Sequence, residues 1–113
     1  MALFLIIEPD DDIRRLYAAV ARGLGHEAAF FDGLPIATPD AVLVEPADPQ
    51  SRAAALRLQH DHPGLPIICA SIDKPTRYEN EGLRATTYLL KPFSLVQLTE
   101  ALQSALSQRD LSE

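Results

Sequence analysis

Four polar side chains each stand directly behind a short apolar run: Glu8 after ALFLII, Glu45 after AVLV, Ser71 after PIICA and Lys91 after TTYLL. Carboxylates that meet an ammonium form a charge-assisted pair, and a hydroxyl beside them adds a donor and an acceptor. Taken singly, each has a plainer use. Glu45 can be a solvated acid before the Pro46 turn, Ser71 a cap for the next helix, and Lys91 a neutraliser of nearby acids. Joint chemistry depends on whether the apolar runs bring these residues to one place.

The runs show no polar alternation, which marks strands buried on both faces of a parallel sheet. Reactive groups in open α/β sheets gather beyond the carboxyl ends of such strands. Helical periods separate the runs. Ile13, Leu16, Tyr17, Val20 and Leu24 fall on one helix face, Asp10 to Asp12 suit its N-terminus, and Gly23 and Gly25 supply its stop. Glu27 to Phe31 reads as a shorter edge strand. From Asp32 to Asp40, DGLPIATPD, the chain shows no helical period and is shorter than the roughly dozen residues of an ordinary parallel crossover, so an extended loop is expected there. Ser51 can cap a helix carrying Ala53, Ala54, Ala55, Leu56 and Leu58 that ends before Pro63. Residues 73–82 allow a short helix. Ser94 and Gln97 form a capping box, with Phe93 and Leu98 at the staple positions, and Leu95, Leu98, Leu102 and Leu106 make the apolar stripe of the last helix. The pattern is β-α-β-loop-β-α-β-α-β-α, an α/β domain over residues 1–108 with a fraying tail at 109–113. Right-handed crossovers then put Glu8, Glu45, Ser71 and Lys91 on one edge.

Composition narrows the function classes. The chain has 113 residues, 47% hydrophobic and 23% charged, which suits one domain with a single core. A formal charge of -6 with scattered basic residues argues against a nucleic-acid backbone or an anionic membrane as direct partner. The lone Cys69 sits in an apolar strand and reads as an inert buried thiol. His26, His60 and His62 form no metal-ligand pattern and read as surface residues. Residues 1–7 lack the basic start and cleavage site of a secretory signal and are too short to span a bilayer, so a cytoplasmic protein is expected.

LIIEPDDDIRRLY, PDAVLVEPADP, LPIICAS and ATTYLLKPF together resemble the receiver domain of two-component response regulators along essentially the whole chain. The resemblance implies a flavodoxin-like three-layer sandwich with a five-stranded parallel sheet of order 2-1-3-4-5. It puts Glu45 at the phosphoacceptor position, Glu8 and Asp10 in the acidic cluster, Ser71 and Tyr88 at the switch positions, and Lys91 at the active-site lysine. The bond from Lys91 to Pro92 is expected to be cis, as X–Pro chemistry permits.

Three departures decide what the resemblance implies for activity. The acceptor aspartate is Glu45. The acidic pair that would hold Mg²⁺ is Glu8 with Pro9, and a proline ring supplies no oxygen ligand. Asp10, one residue further on, is expected to start the helix instead. The family's second helix is missing or replaced by a loop. The expectation is therefore a degenerate receiver, a pseudo-receiver: no enzyme, no metal, no cofactor, and signalling through a protein partner such as a histidine kinase or an effector, with a homodimer also allowed. A Glu45–Lys91 ion pair would stand in for the phosphorylated state. The sheet face left bare near Phe30, Phe31, Leu34 and Ile36 would be an interaction surface. The alternative is a small-ligand or second-messenger binding domain on the same scaffold, which the carboxylates of EPDDD disfavour for a phosphate-bearing ligand.

Overall fold

The computed structural model describes residues 1–33 and 38–112. Along the chain run β1 (Leu3–Ile7), α1 (Asp11–Gly23), β2 (Glu27–Phe30), β3 (Ala41–Val44), α2 (Pro49–Asp61), β4 (Ile67–Ser71), α3 (Pro75–Glu79), β5 (Thr87–Leu90) and α4 (Leu95–Ser112). All strand pairs are parallel, as expected from the apolar runs, and the order is β2-β1-β3-β4-β5, as the resemblance implied. No helix lies between β2 and β3 among the described residues. Leu34 and Ile36, assigned above to a bare face, lie outside them. The last helix continues past Gln108 to Ser112.

Strand alternation divides the core into two layers of contact, one on each side of the sheet. Phe4, Ile6, Ala41, Leu43, Ile68, Ala70 and Leu89 face α1 and α4. Leu5, Ile7, Val42, Val44, Ile67 and Cys69 face the other side, with Ala55 of α2, Tyr78 of α3 and Leu83. Strands this fully covered have no polar face, which is why their sequences are unbroken apolar runs.

Several helix details differ from the sequence reading. In α1 the inward residues are Tyr17, Ala18 and Ala21, whereas Leu16 is 44% exposed. In α4 the buried stripe is Leu98, Ala101, Leu102 and Ala105, and Leu95 is 59% exposed. In both helices the inward line mixes large residues, Tyr17, Leu98 and Leu102, with alanines that let the backbone approach the sheet closely. Helix α2 is capped by Asp48, not Ser51. The Asp48 carboxylate accepts from the backbone N–H of Ser51 at 2.9 Å and from its hydroxyl at 2.7 Å. Pro49 takes the first helical position, where a missing N–H costs no bond. The Ser94–Gln97 capping box forms as expected, each side chain accepting from the other's backbone N–H. His26 is half-buried rather than a plain surface residue: its Nδ1 accepts from the Ala2 N–H at 3.1 Å and its ring meets Phe4 edge-on.

Candidate functional site

Register brings the strand ends together. The N–H of Glu45 donates to the Ile7 carbonyl across β3 and β1, and the N–H of Lys91 donates to the Ser71 carbonyl across β5 and β4. Beyond these pairings the Lys91 ammonium lies 3.0 Å from Glu45 Oε1 and 3.4 Å from Glu8 Oε1. Glu45 Oε2 also accepts from the Ala47 N–H at 3.2 Å, which fixes the carboxylate against its own turn. The Lys91–Pro92 bond is cis.

Glu8 is the most enclosed of the three, with its side chain 2% exposed. Burial raises its carboxyl above the ordinary glutamate value, because desolvation outweighs the attraction of Lys91 and the hydrogen bonds that favour the charge; repulsion from Glu45 adds to the rise. The Asp10 backbone N–H donates to the Glu8 carboxylate, but the Asp10 side chain stays out of the cluster. Its side chain caps α1 by accepting from the Ile13 N–H at 3.0 Å, the role expected of it. Among the described residues no group of three His, Cys, Asp or Glu side chains gathers as metal ligands.

Sequence reasoning assigned Tyr17 only to a helix face. In the fold its hydroxyl is buried without a hydrogen-bond partner, and its titration is pushed up first by burial and then by the charges of Glu8 and Glu45. An apolar helical position gives no sign that its polar tip lies within the field of strand-end carboxylates.

The side chains at the two switch positions bond to Asp73 rather than to this cluster. Ser71 is fully buried and its Oγ accepts from the Asp73 N–H at 3.3 Å. Tyr88 donates to the Asp73 carbonyl at 2.8 Å, and burial pushes its phenol up to about 12. Asp73 and Tyr78, which sequence reasoning did not single out, complete that second cluster, with the Tyr78 hydroxyl donating to Asp73 Oδ2 at 2.5 Å.

Next to β2, Phe30 and Phe31 are both partly exposed. Phe31 lines a cavity of about 680 Å³ with Leu5, Ala54, Arg57 and Leu58, on the side of the sheet that carries α2.

No family model and no curated protein sequence matches the chain. Solved structures do. The protein NtrX from Brucella abortus superposes with a TM-score of 0.84 at 21% identity, over 98% of this chain and 28% of that one. A CheY-like response regulator receiver domain protein from Methanospirillum hungatei JF-1 superposes at 0.82 with 14% identity, over 100% of this chain and 99% of that one.

The fold is that of a receiver domain.

A response regulator receiver domain from Clostridium thermocellum agrees, with a TM-score of 0.79 and 17% identity over the full length of both chains. The chain thus matches whole single-domain receivers from end to end and spans little more than a quarter of NtrX. In the receiver fold the strand-end cluster of Glu8, Glu45 and Lys91 occupies the carboxyl edge of the sheet, at the β1/β3 switch point where the strand order reverses. Among the described residues no helix is long and apolar enough to cross a membrane.

Proposed function

We propose that the chain is a pseudo-receiver: a cytoplasmic signalling domain with the receiver fold that neither catalyses a reaction nor accepts a phosphoryl group, and that works by contact with protein partners, a histidine kinase, an effector or a second copy of itself. One observation carries the reading. The Lys91 ammonium lies against the carboxylates of both Glu45 and Glu8, so the cation at the acidic edge belongs to the chain itself.

Phosphoryl transfer depends on positioning and on cations that neutralise the developing charge. A divalent cation would have to displace Lys91 from two carboxylates and would find a proline where a third oxygen is wanted. Glu45 also carries its carboxylate one methylene farther than aspartate would, into the reach of Lys91. The pair fixes a negative charge beside the strand end, the electrostatic part of what a phosphorylated acceptor offers.

Incubation with a small-molecule phosphodonor and Mg²⁺ is expected to label neither the unaltered chain nor Glu45→Asp, whereas Glu45→Asp combined with Pro9→Asp recovers labelling. Calorimetry of the unaltered chain is expected to show no saturable Mg²⁺ binding at low millimolar concentration. Efficient labelling at Glu45 would overturn the reading.

A second reading, a small-ligand binding domain, draws on the cavity beside Phe31. Its volume of about 680 Å³ lies within the range of ligand pockets, and its wall combines apolar Leu5, Phe31, Ala54 and Leu58 with polar Gln50, Arg57, Asp61 and His62. A thermal-shift screen with nucleotides and aromatic carboxylates separates the two readings, since only the second expects a shift.

A further inference from the structure

Every polar group of Asp73 is engaged. Its N–H donates to Ser71 Oγ at 3.3 Å, its carbonyl accepts from the Tyr88 hydroxyl at 2.8 Å, and its Oδ2 accepts from the Tyr78 hydroxyl at 2.5 Å and from Arg77 Nη1 at 3.2 Å. One residue just past β4 thereby holds the last residue of β4, two residues of α3 and the ring of a β5 residue. Ser71 and Tyr78 are buried, whereas the Asp73 side chain is 27% exposed and Arg77 lies on the surface.

The side chains of this network take the other side of the sheet from the acidic cluster, although the Lys91 N–H donates to the Ser71 carbonyl at 2.8 Å. Ser71 continues the series of Ile67 and Cys69 on the side of the sheet that carries Tyr78. Glu45 continues the series of Ala41 and Leu43 on the side that carries Tyr17. Among the described residues, the side chains of Ser71, Asp73, Tyr78 and Tyr88 make no hydrogen bond to those of Glu8, Glu45 or Lys91.

We propose that Asp73 is a latch that fixes the β4–α3 connection and the Tyr88 ring in one arrangement independently of Glu8, Glu45 and Lys91, and that removing its carboxylate releases them. A buried phenol that loses its acceptor pays the full desolvation of the O–H, so Tyr78 resists any movement of Asp73. Arg77 and the Tyr88 hydroxyl make the same residue the meeting point of α3 and β5. Ile72, between Ser71 and Asp73, is 73% exposed, so the connection that Asp73 fixes leaves the buried end of β4 directly for the surface. The proposal concerns the mechanics of the fold and stands whether or not Glu45 accepts a phosphoryl group.

The test compares Asp73→Ala, Asp73→Asn and Glu45→Gln by amide hydrogen exchange and by nitration of the three tyrosines, each read by mass spectrometry. In Asp73→Ala the amides from Ile72 to Glu79 are expected to exchange about tenfold faster, the scale of a lost charge-assisted hydrogen bond. Tyr88 should nitrate faster, while Tyr17, in the core on the other side of the sheet, stays protected. Asp73→Asn keeps an acceptor without the charge and should fall between. Should Asp73→Ala expose Tyr17 as well, and so have lost its fold, Asp73→Asn decides by the same readouts. Glu45→Gln should leave both readouts unchanged. Unchanged exchange and nitration in the folded Asp73 variants, or a Glu45→Gln variant loosened as much as they are, would overturn the latch.

Discussion

At the scale of single residues, Lys91 balances two carboxylates with one charge, and the two are not equivalent. Glu8 is nearly sealed, whereas Glu45 keeps some contact with solvent. Removing the ammonium leaves a buried charge without compensation, so Lys91→Ala is expected to lose ~3 kcal/mol of stability, measured by urea unfolding at neutral pH. Glu8→Gln should behave oppositely. Because burial raises the Glu8 carboxyl, the folded chain holds that proton more tightly than the unfolded chain does. The contribution of Glu8 is therefore most favourable below its unfolded value and is lost as pH rises through the folded one. Glutamine removes this dependence, so the stability of Glu8→Gln relative to the unaltered chain should increase as pH rises above the ordinary glutamate value. A pH-independent difference between the two urea midpoints would show that Lys91 fully offsets the burial. Tyr17 adds a further case. Its buried hydroxyl has no partner, so Tyr17→Phe forfeits no hydrogen bond and should gain up to ~1 kcal/mol in the same measurement. A loss instead would reveal an internal water bridging the phenol to the carboxylates.

At the scale of elements, the start of α2 is the clearest place to separate two accounts. Asp48 accepts from both the N–H and the hydroxyl of Ser51, so Asp48→Ala should cost ~1 kcal/mol or more, and Ser51→Ala less, by thermal or urea unfolding. The reverse order would restore Ser51 as the cap. The sequence reading missed this because Asp48–Pro49 also reads as a turn, and only the path of the chain after Glu45 shows that the helix begins at the proline. Strands β1, β3 and β4 were legible because burial on both faces leaves almost no polar position in them. The helix faces were legible in part: Tyr17, Leu98 and Leu102 of the expected stripes reach the core, Leu16 and Leu95 do not, and Ala18, Ala21, Ala101 and Ala105 add contact that the period did not mark. Hydrophobic period registers large side chains, whereas close packing against a sheet also uses small ones. The Glu45–Lys91 pair was expected from two strand ends on one edge. Asp73 with Tyr78 was not, since nothing in DKPTRYENEG indicates that a five-residue helix turns Tyr78 back onto the residue preceding its own cap.

At the scale of the whole molecule, the sheet is layered so that its most central strands have no access to solvent. Cys69 lies in β4, paired with Val44 of β3 on one side and Tyr88 of β5 on the other, and it is fully buried. Burial also pushes its thiol up to about 12, so the native chain presents neither a reachable sulfur nor a thiolate. The sequence contains no other cysteine. A thiol reagent can therefore react only with molecules whose sheet has come apart, and the rate of modification counts those molecules directly. In the native chain that rate should be slow and set by how often the sheet opens. It should rise in Lys91→Ala in proportion to the lost stability and stay unchanged in any variant that loosens only the β4–α3 connection. The centre of the domain thus holds a built-in chemical clock for global opening, one that a disturbance confined to the surface leaves unread.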